Sequence, residues 1–193
     1  MSSTRTGRSP ADSKVSARDW RRVVVKIGTN LLTSSDGTLD SSAVRGLVDQ
    51  VVRLRNSGVK VVLVTSGAVT AGSEVLNRVG EELPRRGVAS RQVLASLGQV
   101  PLMREYSRHF AEMGVTAAQA LVSRGDLESD RGYLNARNTL LGLLQTGAVP
   151  VVNENDVVAV DELEGEVFGD NDRLSARVAD VVDADALIIL SDV

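Results

Sequence analysis

Five short apolar runs constrain this chain most: residues 22–27, 60–64, 115–120, 149–152 and 186–190. Each has strand length, Val and Ile dominate most of them, and polar alternation is scarce, which is the pattern of strands covered on both faces. Helical stretches separate them. Asp40-Ser41-Ser42 supplies a cap before residues 43–56, where Val44, Leu47, Val48, Val51 and Leu54 fall on one face, and Gly58 ends the helix. Residues 91–110 read as a helical pair or as a helix bent near Gly98 and Pro101. Residues 132–145 carry Leu134, Leu140, Leu141 and Leu144 and stop at Gly147, and a short helix over 174–182 leads into the last strand. Residues 161–168, around Gly165, read as a small β-hairpin. The βαβ order predicts an α/β fold, a three-layer αβα sandwich on an open, mostly parallel sheet, with ligands at the carboxyl ends of the strands.

Composition agrees with that architecture and narrows the chemistry. Hydrophobic residues make up 42% and aromatics 3%, so the core is built from Val, Leu, Ile and Ala. The net charge of -3 comes from interspersed signs, without a basic stripe or stacking aromatics, so no nucleic-acid partner is expected. The absence of cysteine removes thiol nucleophiles, disulfides and soft metal sites. The single histidine, His109, has no His partner for a metal site, and its neighbourhood reads as the polar side of a helix. Residues 1–20 are rich in Ser, Thr and Arg and are expected to be a disordered polar tail ahead of one domain over 21–193. No stretch is long and apolar enough to span a membrane, and a soluble, cytoplasmic protein is expected.

The polar residues that stand out follow the strands. Lys26 sits inside an apolar strand, where an ammonium is expensive without an anionic partner; a lysine snorkelling at the strand end is the alternative. Gly28 lets backbone amides come close to a ligand. Ser66-Gly67-Ala68 opens a helix after the second strand. The Gly67-to-Gly72 spacing fails as a P-loop, because Ser73-Glu74 stands where Lys-Ser/Thr is required. Asn153-Glu154-Asn155-Asp156 ends the fourth strand, and Gly169-Asp170-Asn171-Asp172 precedes a helix starting near Leu174. Either cluster alone is a turn. Together with Lys26 they describe a pocket for a zwitterion beside a phosphate, since carboxylates hold an ammonium or Mg²⁺ and amides read a carboxylate. Ser191-Asp192 closes the last strand.

Residues 23–29 (Val-Val-Val-Lys-Ile-Gly-Thr), 62–68, 89–92 (Ala-Ser-Arg-Gln), 134–137 (Leu-Asn-Ala-Arg), 149–156 (Val-Pro-Val-Val-Asn-Glu-Asn-Asp) and 168–172 (Phe-Gly-Asp-Asn-Asp) run in this order. They resemble the glutamate 5-kinase group of the amino-acid kinase family. The resemblance implies the amino-acid kinase fold and ATP-dependent phosphorylation of the L-glutamate side-chain carboxylate to L-glutamyl 5-phosphate, the first step of proline biosynthesis. It implies ATP and Mg²⁺ as cofactors, without a metal site made by the protein alone. By the same resemblance, Lys26 and Asp172 are catalytic, and Ser66, Gly67, Asp156 and Asn171 bind glutamate. Lys26, Gly28, Ser191 and Asp192 border the nucleotide. Proline as feedback inhibitor, a homo-oligomer at full length and a link to glutamyl-phosphate reductase are further expectations. The family carries a Gly-rich, lysine-bearing nucleotide segment later in its chain. Residues 21–193 are therefore expected to be the substrate-binding part, truncated at the C-terminus, with an incomplete nucleotide half and little activity alone. The alternatives are a kinase for acetylglutamate or aspartate, and a catalytically silent domain that binds glutamate or proline.

Overall fold

The computed structural model describes residues 20–81, 83, 87–158 and 170–192. The expected tail (apart from Trp20) and the 161–168 hairpin lie outside the described residues. Five strands, β1 (Arg22–Ile27), β2 (Lys60–Val64), β3 (Ala117–Val122), β4 (Val149–Glu154) and β5 (Ala186–Leu190), form one sheet in the order β3-β4-β2-β1-β5. All four pairings are parallel. The helices are α1 (Ser41–Asn56), α2 (Ala68–Val79), α3 (Val88–Glu112), α4 (Arg124–Glu128), α5 (Asp130–Thr146) and α6 (Asp170–Val181), and a 3-10 turn covers Thr29–Leu31.

Strand side chains alternate between two apolar layers, so the runs show no polar face. Val23, Val25, Ile27, Val61, Leu63 and Val151 pack with Val44 and Val48 of α1 and Leu102, Tyr106 and Phe110 of α3. Val24, Val62, Val64 and Val152 pack on the other side with Leu127 of α4, Leu140 and Leu144 of α5, and Leu174 and Val178 of α6. The three-layer sandwich expected from the sequence is therefore present. At the β5 edge Ile189 is 48% exposed.

Several local expectations are corrected. The third strand begins at Ala117 rather than 115, because the Val115 amide bonds to the Phe110 carbonyl at 2.9 Å and closes the end of α3 with Gly114 at positive φ. The fourth strand continues to Glu154 by pairing Asn153 and Glu154 with Leu121 and Val122. Residues 91–110 are one helix rather than a pair: α3 runs for 25 residues through Gly98 and Pro101. Gly98 is there for packing, since a Cβ on it would lie 1.8 Å from the Ala68 carbonyl oxygen of α2. Leu134 is 55% exposed rather than part of the core face of α5. His109 is not on a polar surface but 2% exposed, with Nε2 3.2 Å from Ser41 Oγ and 3.4 Å from Glu105 Oε2. The start of α1 covers it.

Carboxylates fasten several element ends. Asp40 caps α1 by accepting from the Ser42 and Ala43 amides at 2.8 and 3.1 Å, and bonds to the Ser42 hydroxyl and these amides hold its carboxyl below the ordinary range. Asp185 accepts from the Arg22 and Arg21 amides, each at 2.7 Å, and those bonds depress it likewise. A carboxyl whose pKa is lower folded than unfolded adds stability that is present above about pH 4 and fades as pH falls through the folded value. Urea midpoints are expected to drop on acidification below that point, and by less in Asp185→Asn. An equal drop in both proteins would contradict this role.

Candidate functional site

Parallel order places the carboxyl ends of β4, β2, β1 and β5 side by side, and the polar residues collect there. Lys26, the second-last residue of β1, is 12% exposed, and its Nζ lies 2.7 Å from Asp172 Oδ1. Of the two readings open for this lysine, the one with an anionic partner is the one seen, and α6 supplies that partner. That helix begins at Asp170, four residues before the expected start, so Asn171 and Asp172 lie in its first turn. Asn171 Nδ2 donates to the Thr65 carbonyl at 3.2 Å and to Ser66 Oγ. The Thr65 carbonyl fixes which end of the amide is the donor. Asn171 Oδ1 is then buried without a partner, an acceptor that a ligand's N–H or O–H would satisfy.

Beside these groups is a cavity of about 150 Å³, lined by Thr29, Ser66, Gly67, Ala68, Val69, Thr70, Arg91, Asn153, Glu154, Asp156 and Asn171. It is smaller than drug-sized sites of roughly 300 Å³ upward and fits a small polar molecule. Its floor is the start of α2. Gly67 has φ of 98°, a left-handed value that a side chain would strain, and Ala71 N bonds back to the Gly67 carbonyl at 3.0 Å. The amides of Ala68, Val69 and Thr70 precede the first such bond, so they and the helix dipole favour an anion. Asn153 is turned inward. It is 3% exposed, donates to Gln99 Oε1 at 3.0 Å and accepts from the Glu154 amide at 2.9 Å, so it ties β4 to α3. Behind the floor, the Thr65 hydroxyl meets buried Tyr106 OH at 2.8 Å, and burial pushes the Tyr106 phenol pKa up.

The expected nucleotide side lies across β1 and β5. The Gly28 amide donates to the Leu190 carbonyl at 3.2 Å, so it is committed to the sheet. A Cβ at Gly28 would be in ordinary contact, 3.7 Å from Lys26 Nζ and 3.6 Å from the Leu190 carbonyl oxygen, so Gly28 sits directly beside the Lys26 ammonium. Asn30 Nδ2 donates to Asp192 Oδ2 at 2.8 Å, and Ser191 is exposed next to it. Among the described residues no cluster of three or more His, Cys, Asp or Glu side chains could hold a metal ion, and no helix is long and apolar enough to cross a membrane.

Thus the structure brings Ser66, Gly67, Asp156 and Asn171 to one cavity, with Lys26 and Asp172 paired beside it. Gly28, Ser191 and Asp192 stand apart, over β1 and β5. Sequence reasoning gave no role to Thr29 or Arg91. Arg91 lies in the first turn of α3, within the resembling segment 89–92, and near the Asp156 turn, which the bond from Gln92 Nε2 to the Val157 carbonyl at 3.4 Å ties to α3. A larger cavity of about 400 Å³ lies between α4 and α6, but Glu154 is the only strand-end residue it reaches among those described.

Known proteins resemble this chain along most of its length. The sequence profile of the amino acid kinase family matches residues 21–193. A glutamate 5-kinase of Dehalococcoides mccartyi (strain CBDB1) is 45% identical over 174 residues, covering 90% of this chain and 46% of that protein. One from Chlorobaculum tepidum is 46% identical over 174 residues, with the same coverage of 90% and 46%. Glutamate 5-kinase 2 of Bacillus subtilis is 46% identical over 175 residues, 90% of this chain and 45% of its own length. The chain thus spans just under half the length of these curated relatives. The profile match, the parallel sheet and the strand-end cavity agree: the chain belongs to the amino acid kinase family.

Proposed function

We propose that residues 21–193 form the substrate-binding part of an ATP-dependent kinase that phosphorylates the side-chain carboxylate of L-glutamate, the first step of proline biosynthesis. The observation that carries this reading is the adjacency of Asn171 and Asp172: one faces Ser66 in the cavity, the other holds Lys26. A small acid bound at Ser66 and Asn171 then has its reactive carboxylate next to the lysine. A glutamate side chain ordinarily titrates near about pH 4.3, so this carboxylate is already ionised at neutral pH and its attack on phosphorus needs no base. One oxygen bonds to the γ-phosphorus of ATP while the bond to the ADP oxygen breaks. Lys26 offsets the charge on the phosphates, Asp172 orients Lys26, and the α2 amides and Gly67 floor hold the acid in line.

Mg²⁺ would supply charge neutralisation on the phosphates, and half-exposed Asp172 fits as one ligand, since this ion is commonly held by one or two carboxylates with substrate oxygens. Gly28, Ser191 and Asp192 border the nucleotide. Asp156 takes the substrate ammonium, which a kinase for an N-acetylated amino acid would not require. Proline carries the same α-carboxylate and amine and would compete for this end of the cavity. A reductase acting on the acyl phosphate would consume the product. Self-association of the full-length protein belongs to the same reading.

A coupled assay of the relative-length protein with glutamate, N-acetylglutamate and aspartate tests this. Glutamate should give the highest kcat/KM, and preference for N-acetylglutamate would overturn the assignment. Asp156→Asn should raise the KM for glutamate about tenfold or more, the loss of one charge-assisted contact, with a smaller change in kcat.

A further inference from the structure

We propose that Arg91 reads the α-carboxylate of the amino-acid substrate and so sets specificity at the end of the cavity away from phosphoryl transfer. The inference rests on the glutamate reading above and goes beyond it, because no role for Arg91 follows from that reading.

Charge makes the first argument. Among the described residues lining the cavity, the charged side chains are Arg91, Glu154 and Asp156. Two carboxylates would repel a dicarboxylate, and Arg91 is the cation among them that counters this.

Position makes the second. β4 is two strands from β1, so their ends are about 10 Å apart. A substrate lying across the end of β2 would put its side-chain carboxylate towards Lys26 and its amino-acid end towards β4. The bond from Gln92 Nε2 to the Val157 carbonyl, 3.4 Å, ties the first turn of α3 to the turn that carries Asp156. Arg91 and Asp156 therefore meet the same end of the substrate, one suited to carboxylate and the other to ammonium. Arg91 and Val69 also line a neighbouring cavity of about 780 Å³, so Arg91 stands at the boundary between the two spaces. A guanidinium fork matches a carboxylate with two parallel hydrogen bonds, a geometry an amide cannot return.

The test is calorimetric binding of L-glutamate and L-isoglutamine, its α-amide, to the wild-type protein and to Arg91→Gln and Arg91→Lys. The wild type should favour glutamate by about tenfold or more, the scale of one charge-assisted bidentate pair. Arg91→Gln should lose about that factor for glutamate and little for isoglutamine, and Arg91→Lys should recover part of it. The exposed position predicts unchanged unfolding midpoints. Equal losses for both ligands, or no loss for glutamate, would overturn the role of Arg91 while leaving the glutamate site intact. Wild-type preference for N-acetylglutamate or aspartate over glutamate would overturn the reading beneath it.

Discussion

Lys26→Met is expected to lower the kcat of phosphoryl transfer by at least about a hundredfold, the scale for removing one preorganised charge from a transition state. The measurement is made on a version of the chain extended to the length of the curated relatives. The KM for glutamate should change far less, because the cavity residues Ser66, Asn171 and Asp156 are untouched. Stability should hold as well. Methionine suits the apolar flank of β1, and Asp172, left without its partner, is 51% exposed and remains hydrated. A large rise in KM with unchanged kcat would assign Lys26 to substrate binding instead.

The second large effect concerns the two helices over the cavity. α2 and α3 touch backbone to backbone: a Cβ on Gly98 would lie 1.8 Å from Ala68 O and 2.3 Å from Gly72 N, and one on Gly72 would lie 1.9 Å from Leu94 O. No rotamer relieves a clash with backbone, so the helices must separate. Gly98→Ala should destabilise by about 3 kcal/mol, the upper range for overpacking, despite the better helix propensity of alanine. Gly46→Ala provides the contrast, because it lies in α1 with nothing within 4 Å of an added Cβ. It should stabilise by about 0.5–1 kcal/mol. Ala68 opens the helix that floors the cavity, so Gly98→Ala should also weaken glutamate binding. Chemical denaturation of both variants checks the opposite signs; similar midpoints would mean that the close crossing does not constrain the fold.

What the sequence made legible follows from what a strand needs. The runs that became β1, β2 and β4 have neighbours on both sides and are buried, so their apolar length alone marked them. Lys26 was legible because an ammonium in such a run requires a counter-charge, and Asp172 provides it at 2.7 Å. Features that depend on tertiary partners were not. Gly98 and Pro101 left a helical pair open locally, and the close packing of α2 on Gly98 within one continuous α3 is visible only in the fold. His109 shares its stretch with Ser107 and Arg108, and only the arrival of α1 buries it. The start of α6 at Asp170 was hidden because Asp and Asn suit turns as well as first helical turns. Arg91 lies in one of the segments that carry the family resemblance, Ala89 to Gln92, but its place in the cavity follows only from how α3 packs.

The central claim is that glutamate occupies the cavity at the ends of β2, β4 and β1. The most direct test is an amide chemical-shift titration of the protein with L-glutamate. Shifts should concentrate at Ser66 to Thr70, Arg91, Asp156 and Asn171 to Asp172. Shifts centred on Leu127, Arg173 and Arg177, which line the larger cavity between α4 and α6, would contradict it.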